Sequence, residues 1–226
     1  MDSRIAWAKA AVLAIGLLPL AWYGTGIALD RLGANPIEAV TRGLGAWALN
    51  WLLVTLAVTP LRRLTGWLWL VRLRRMLGLF CFIYACLHLV TYLWLDQFFD
   101  WQAITKDIVK RPFIAAGMLA FTLLVPLAAT STNAMVRRLG GRHWQALHRT
   151  VYLIGGITVL HFWWMVKADT SQPEVYALII ALLLGLRVWW RWRSQKGSTR
   201  ALPTSSKAPQ APITKHRPER NRARLP

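Results

Sequence analysis

Six apolar runs constrain this chain more than anything else in it: Ile5–Leu29, Leu44–Pro60, Met76–Leu95, Pro112–Thr130, Thr150–Val166 and Pro173–Trp190. Each is about 17–25 residues long, the length that a tilted helix needs to cross a bilayer. The expected fold class is therefore all-α, an integral membrane bundle of six helices. The composition agrees: 55% of the residues are hydrophobic, too many for a soluble domain of this size, and 14 are Trp, which collects at membrane–water interfaces. The first run has Arg4 and Lys9 as a basic flank, as a signal peptide would. It is long, and no small-x-small cleavage site precedes Asp30, so it is expected to stay as a helix.

Charge sets the orientation. The formal net charge is +19, from 28 Lys+Arg against 9 Asp+Glu. On a soluble protein that balance suggests nucleic acid, but no basic soluble domain or nucleic-acid motif is present. The basic residues lie between the apolar runs instead. The second loop holds Arg62, Arg63, Arg72, Arg74 and Arg75, and the fourth holds Arg137, Arg138 and Arg142. The first, third and fifth loops mix signs, with Asp30, Glu38, Asp96, Asp100, Asp107, Asp169 and Glu174 among their residues. The positive-inside rule then places both termini and the even loops in the cytoplasm. Residues 1–193 read as the membrane domain. Residues 194–226, rich in Ser, Pro, Lys and Arg, read as a disordered basic cytoplasmic tail, held near anionic lipid by its charge. No Gly-rich nucleotide fingerprint occurs. Cys81 and Cys86, five residues apart on one helix, point about 140° away from each other and are expected to stay unpaired.

The ionisable residues inside the apolar runs carry the functional reading, because a bilayer makes them expensive. His88 lies about 20 Å of helical rise above the cytoplasmic start of the third helix, and His161 about 18 Å above that of the fifth. Two parallel helices thus hold imidazoles at one depth in the outer half of the membrane. Level imidazoles on facing helices suit the two axial positions of one haem iron, six-coordinate and fit for electron transfer. His148 is expected at the cytoplasmic mouth of the helix that carries His161. Its counterparts on the third helix are Arg74 and Arg75, which cannot ligate iron. His148 is therefore open to a second haem with a weak or foreign second ligand, or to contact with a quinone or flavin. Arg74, Arg75 and Arg142 are candidates to neutralise propionates or a phosphate there. His143 and His216 read as solvated.

Four blocks carry a family resemblance: LGANP (Leu32–Pro36), RRMLGLFCFIYACLHLVTY (Arg74–Tyr92), KRPFIAAG (Lys110–Gly117) and TSTNAMVRRLGGRHWQALHRTVYL (Thr130–Leu153), the last followed by His161. With these the chain resembles the MsrQ family, the haem-bearing inner-membrane subunits of the bacterial protein-methionine-sulfoxide reductase system, within the ferric reductase-like transmembrane superfamily. The resemblance implies haem b held by His88 and His161, with His148 as the third family histidine, and an FMN whose ligands the sequence does not place. It implies a multi-pass protein of the bacterial inner membrane. It also implies an electron donor, either the quinol pool or a separate flavin reductase, and a periplasmic molybdopterin methionine sulfoxide reductase as acceptor. The wider superfamily carries two histidines on its third helix where this chain has one. The cytosolic FAD/NADPH module of the oxidases has no counterpart here.

The function expected is a membrane cytochrome b that carries electrons outward to that periplasmic enzyme and does not itself touch methionine sulfoxide. Two alternatives remain. A stand-alone ferric or quinone reductase would turn over without a periplasmic partner. A cofactor-free transporter or assembly factor would be colourless and use its histidines as proton relays.

Overall fold

The computed structural model describes residues 3–166 and 168–199. They form eight α-helices: α1 (Ser3–Ala28), α2 (Pro36–Thr65), α3 (Arg74–Val90), α4 (Trp101–Lys110), α5 (Pro112–Ala129), α6 (Asn133–His148), α7 (Val151–Met165) and α8 (Ser171–Thr199). A 3-10 turn at Leu68–Arg72 leads into α3, and a π-helical stretch, Thr91–Asp96, continues it. No strand occurs among the described residues.

Local sequence explains the helix ends. Asn35 caps α2: its side-chain oxygen accepts from the Glu38 N–H at 3.1 Å, and Pro36 fills the first turn, where a missing N–H costs nothing. Glu38 also faces the positive end of the helix dipole. Gly66 closes α2 in the left-handed region, at φ 75°, and its N–H bonds the Arg62 carbonyl. Asp100 caps α4 by accepting from the N–H groups of Gln102 and Ala103.

Five helical stretches are long and apolar enough to cross a membrane: Ser3–Ala28, Pro36–Thr65, Arg74–Asp96, Pro112–Ala129 and Ser171–Arg193. The remaining apolar run folds as α7, which has 15 residues, about 22 Å of rise against the roughly 30 Å of a hydrocarbon core. Two of the expected loops are partly helical. The third contains α4, and the fourth contains α6, broken at Gly140 (φ 73°, ψ 148°), a conformation that glycine adopts without strain. Consequently His148 ends α6 and does not share a helix with His161, as the sequence reading had it; Arg149 and Thr150 separate the two elements. The last span also runs further than expected, through Thr199, so that residues 194–199 are helical. The expectation of a disordered tail otherwise falls on residues 200–226, outside the described residues.

The bundle is organised as two helix pairs. α2 packs along α3, and α5 along α7. Trp51 stacks on Phe80 at 5.1 Å, and the Phe80 ring fills the space where a Cβ on Gly16 would stand, which lets α1 approach α3. Tyr84, wholly buried, donates its hydroxyl to the Gly16 carbonyl at 2.7 Å. The Tyr176 hydroxyl donates to Asn50 Oδ1 at 2.9 Å and ties α8 to α2.

Proline creates another tie. Pro60 has no N–H, so the carbonyl four residues earlier, at Leu56, loses its helical donor. Arg187 of α8 donates to that carbonyl instead. Large apolar side chains face outward along the spans, including Leu18, Trp22 and Leu182. On a bilayer protein these are lipid contacts. The compact unit ends at Trp189, and α8 runs on beyond it.

Candidate haem site

α3 and α7 bring His88 and His161 together. The ring centroids are 6.2 Å apart and the ring planes cross at 74°. The two imidazoles are held alike, each by the helix that packs along its own. His88 Nδ1 lies 2.8 Å from the Thr41 carbonyl on α2, and His161 Nδ1 lies 2.5 Å from the Phe113 carbonyl on α5. A carbonyl only accepts, so each Nδ1 carries the proton and each Nε2 keeps its lone pair.

Glycine makes both contacts accessible. Gly45 follows Thr41 by four residues, and Gly117 follows Phe113 by four. A helical side chain leans toward the N-terminus and covers the carbonyl one turn before it. With no side chain at Gly45 or Gly117, the imidazole reaches in over the glycine. A Cβ at Gly45 would meet His88 at 3.1 Å, and one at Gly117 would meet His161 at 2.9 Å.

This donor set suits a haem. A porphyrin supplies four equatorial nitrogens, so the protein needs to add only two ligands. Among the described residues no group of three or more His, Cys, Asp or Glu gathers as a self-sufficient metal site. Two metal–imidazole bonds of about 2 Å, plus the half-width of each ring, span about the separation of these centroids. An Nδ1–H donated to a backbone carbonyl is the usual support of a metal-bound imidazole, fixing its tautomer and orientation.

His148 is placed differently. It stacks on Trp144 with centroids 4.0 Å apart, and its Nε2 lies 3.1 Å from Thr130 Oγ1. The Thr130 hydroxyl already donates to the Pro126 carbonyl at 2.6 Å, so it accepts from His148, and Nε2 carries the proton. Burial first, and then the nearby Arg74 guanidinium, hold His148 below the usual imidazole range. It is neutral at pH 7 with Nδ1 as its open lone pair. Of the expected arginines, Arg74 acts on His148 through its charge, Arg75 donates to the Asn133 side chain at the start of α6, and Arg142 is exposed.

The structure also shows a polar contact between α7 and α8 that the sequence reading passed over. Arg187 donates to the Tyr152 hydroxyl, and its guanidinium lies 4.9 Å from the Tyr152 ring centroid. A lone arginine inside the run LLLGLRVWW was the available signal, since an ionisable residue in a span is functional by default.

The chain matches the family of ferric reductase like transmembrane components over residues 42–159. It is 53% identical over 199 residues to the protein-methionine-sulfoxide reductase heme-binding subunit MsrQ of Herminiimonas arsenicoxydans, covering 87% of this chain and 91% of the relative. The MsrQ of Azospira oryzae is 57% identical over 186 residues, 82% of this chain and 80% of the relative. That of Rhodospirillum rubrum is 58% identical over 180 residues, 80% of this chain and 86% of the relative. No solved structure matches the chain.

Proposed function

The chain belongs to the ferric reductase-like transmembrane family and, within it, to the MsrQ haem-binding subunits of protein-methionine-sulfoxide reductases. From that premise we propose that it is a cytochrome b of the bacterial inner membrane. It passes electrons from the quinol pool or a flavin donor to a periplasmic molybdopterin methionine sulfoxide reductase, and so supports repair of oxidised periplasmic proteins. One observation carries the reading: His88 and His161 face each other across 6.2 Å with both Nδ1 atoms engaged by carbonyls. When bound there, a haem with two imidazole ligands is six-coordinate and supplies one-electron transfer rather than oxygen binding.

The remaining residues divide by side. In the proposed orientation both termini are cytoplasmic and α7 crosses as a sixth, short span. The α3 start and the α6 end, with Arg74, Arg75, Arg142 and His148, then form the entry side, where an FMN or a quinol meets the protein. His148 is retained as a ligand candidate for a second haem on that side, through Nδ1. Asp96–Arg111, with α4, and the α7–α8 connection face the acceptor.

The test is an absorption spectrum, oxidised and dithionite-reduced, of the detergent-purified protein beside His88→Ala and His161→Ala. A low-spin b-type spectrum lost in both variants is expected. A folded, haem-supplied wild type that stays colourless would sink the reading. The stand-alone reductase alternative separates in a second assay: it requires sustained quinone or ferric turnover with no periplasmic partner present.

A further inference from the structure

Asp107 is the one carboxylate among the described residues that is not exposed. Only 15% of its side chain is accessible, and it stands on α4 one turn after the buried Ile104. Its two oxygens serve different elements. Oδ1 lies 3.3 Å from Arg111 Nε, and Oδ2 accepts from the Tyr92 hydroxyl at 3.5 Å, a long hydrogen bond. Taking a carboxylate out of water is costly unless donors meet it. Here one donor comes from the continuation of α3 and the other from the start of α5.

Each donor adjoins one of the two facing imidazoles. Tyr92 stands one turn beyond His88, in the π-helical stretch where the Thr91 hydroxyl donates to the His88 carbonyl at 2.8 Å. Phe113 comes two residues after Arg111. Its carbonyl holds His161 Nδ1, and its ring centroid lies 6.3 Å from that of the imidazole. The two supporting carbonyls are anchored differently. Thr41 lies inside α2, behind the Asn35 cap. Phe113 lies in the first turn of α5, which starts without a side-chain cap. First turns fray, because their N–H groups have no helical acceptors. What ties this one down is α4. The Arg111 N–H donates to the Asp107 carbonyl at 2.8 Å, and the Asp107 carboxylate pairs with the Arg111 side chain.

We propose that Asp107 is a positioning residue of the haem site. Its carboxylate clamps the start of α5, and with it the Phe113 carbonyl, to the continuation of α3 beyond His88. This rests on the reading of His88 and His161 as haem ligands. A carbonyl that accepts from Nδ1–H makes a metal-bound imidazole a stronger donor. Stronger donation favours ferric over ferrous iron, so the axial ligand's hydrogen bond is one of the levers that set a haem potential. A loosened clamp weakens the Phe113–His161 contact and raises that potential.

The test is a spectroelectrochemical titration of the full chain, loaded with haem, as wild type, Asp107→Asn and Arg111→Gln. Both changes break the same ion pair, but they alter the local charge in opposite senses. A rise in midpoint potential is expected in both. Arg111→Gln is the deciding variant, because removing a positive charge by itself favours ferric iron and lowers the potential. Only a loosened clamp raises it. A fall, or no change, in Arg111→Gln overturns the proposal. Tyr92→Phe, which changes no charge, takes its place where Arg111→Gln fails to load haem. A rise is again expected there, and a wild-type potential overturns the proposal. A colourless wild type sinks the haem reading and the clamp with it. A wild type with a low-spin b-type spectrum, beside variants that do not rise, sinks the clamp alone.

Discussion

The imidazole of His161 occupies the space that a β-carbon on Gly117 would need, 2.9 Å away at both Nδ1 and Cε1. The arrangement repeats on the other helix pair, where His88 lies 3.1 Å from the same point on Gly45. In each pair one helix offers a carbonyl and a glycine one turn later, and its partner offers a histidine. Gly117→Ala and Gly45→Ala therefore push the ring off its carbonyl without touching the ring. Overpacking of this kind costs about 1–3 kcal/mol. Haem-to-protein ratio is expected to fall in both variants, more in Gly117→Ala because its contact is tighter. Full haem occupancy with an unchanged spectrum in both would show that the carbonyl contacts do not support ligation.

The crossing of the ring planes has a spectroscopic consequence. Were a haem held by both imidazoles, rings crossed at such an angle would favour a highly anisotropic low-spin ferric centre. The planes of His88 and His161 cross at 74°. Low-temperature EPR of the oxidised protein is expected to show a highly anisotropic low-spin signal, lost in His88→Ala. A narrower rhombic signal, typical of parallel ligand planes, would contradict the ring geometry.

Much of this site is legible in the sequence because membrane helices report themselves twice, through apolar length and through the cost of polar exceptions. His88 and His161 stand out on both counts, and equal rise from two arginine-marked helix starts sets them level. The supports do not stand out. Thr41 with Gly45, and Phe113 with Gly117, become meaningful only once α2 is known to pack on α3 and α5 on α7. His148 misleads for a related reason. Periodicity extends α7 back to it, but Gly140 and the Arg149–Thr150 break turn it toward Thr130 and Trp144. Arg187 was readable as a lone charge in an apolar run, whereas its use depends on Pro60 of a helix more than a hundred residues earlier.

Orientation is testable with single cysteines. Val109 on α4 is 84% exposed and Leu64 near the end of α2 is 71% exposed, on loops assigned to opposite sides. In a background lacking Cys81 and Cys86, a membrane-impermeant maleimide added to spheroplasts is expected to label Val109→Cys. Leu64→Cys is expected to react only after permeabilisation. The reverse pattern would invert the topology and move the acceptor surface to the other side.

Pro60 and Arg187 give the most direct test of the packing. Pro60 strips the Leu56 carbonyl of its helical donor, and Arg187 restores one from α8. Arg187→Met should therefore destabilise the protein by leaving a buried acceptor unmade, a cost of about 1–3 kcal/mol. In a Pro60→Ala background, the alanine N–H returns to Leu56 and the carbonyl no longer needs the guanidinium. The same Arg187→Met change should then cost less, with a coupling of about 0.5–3 kcal/mol between the two sites. Unfolding of the four proteins in mixed detergent micelles measures it. Additive effects would mean that Arg187 acts on the bundle by another route, with Tyr152 as the partner to test next.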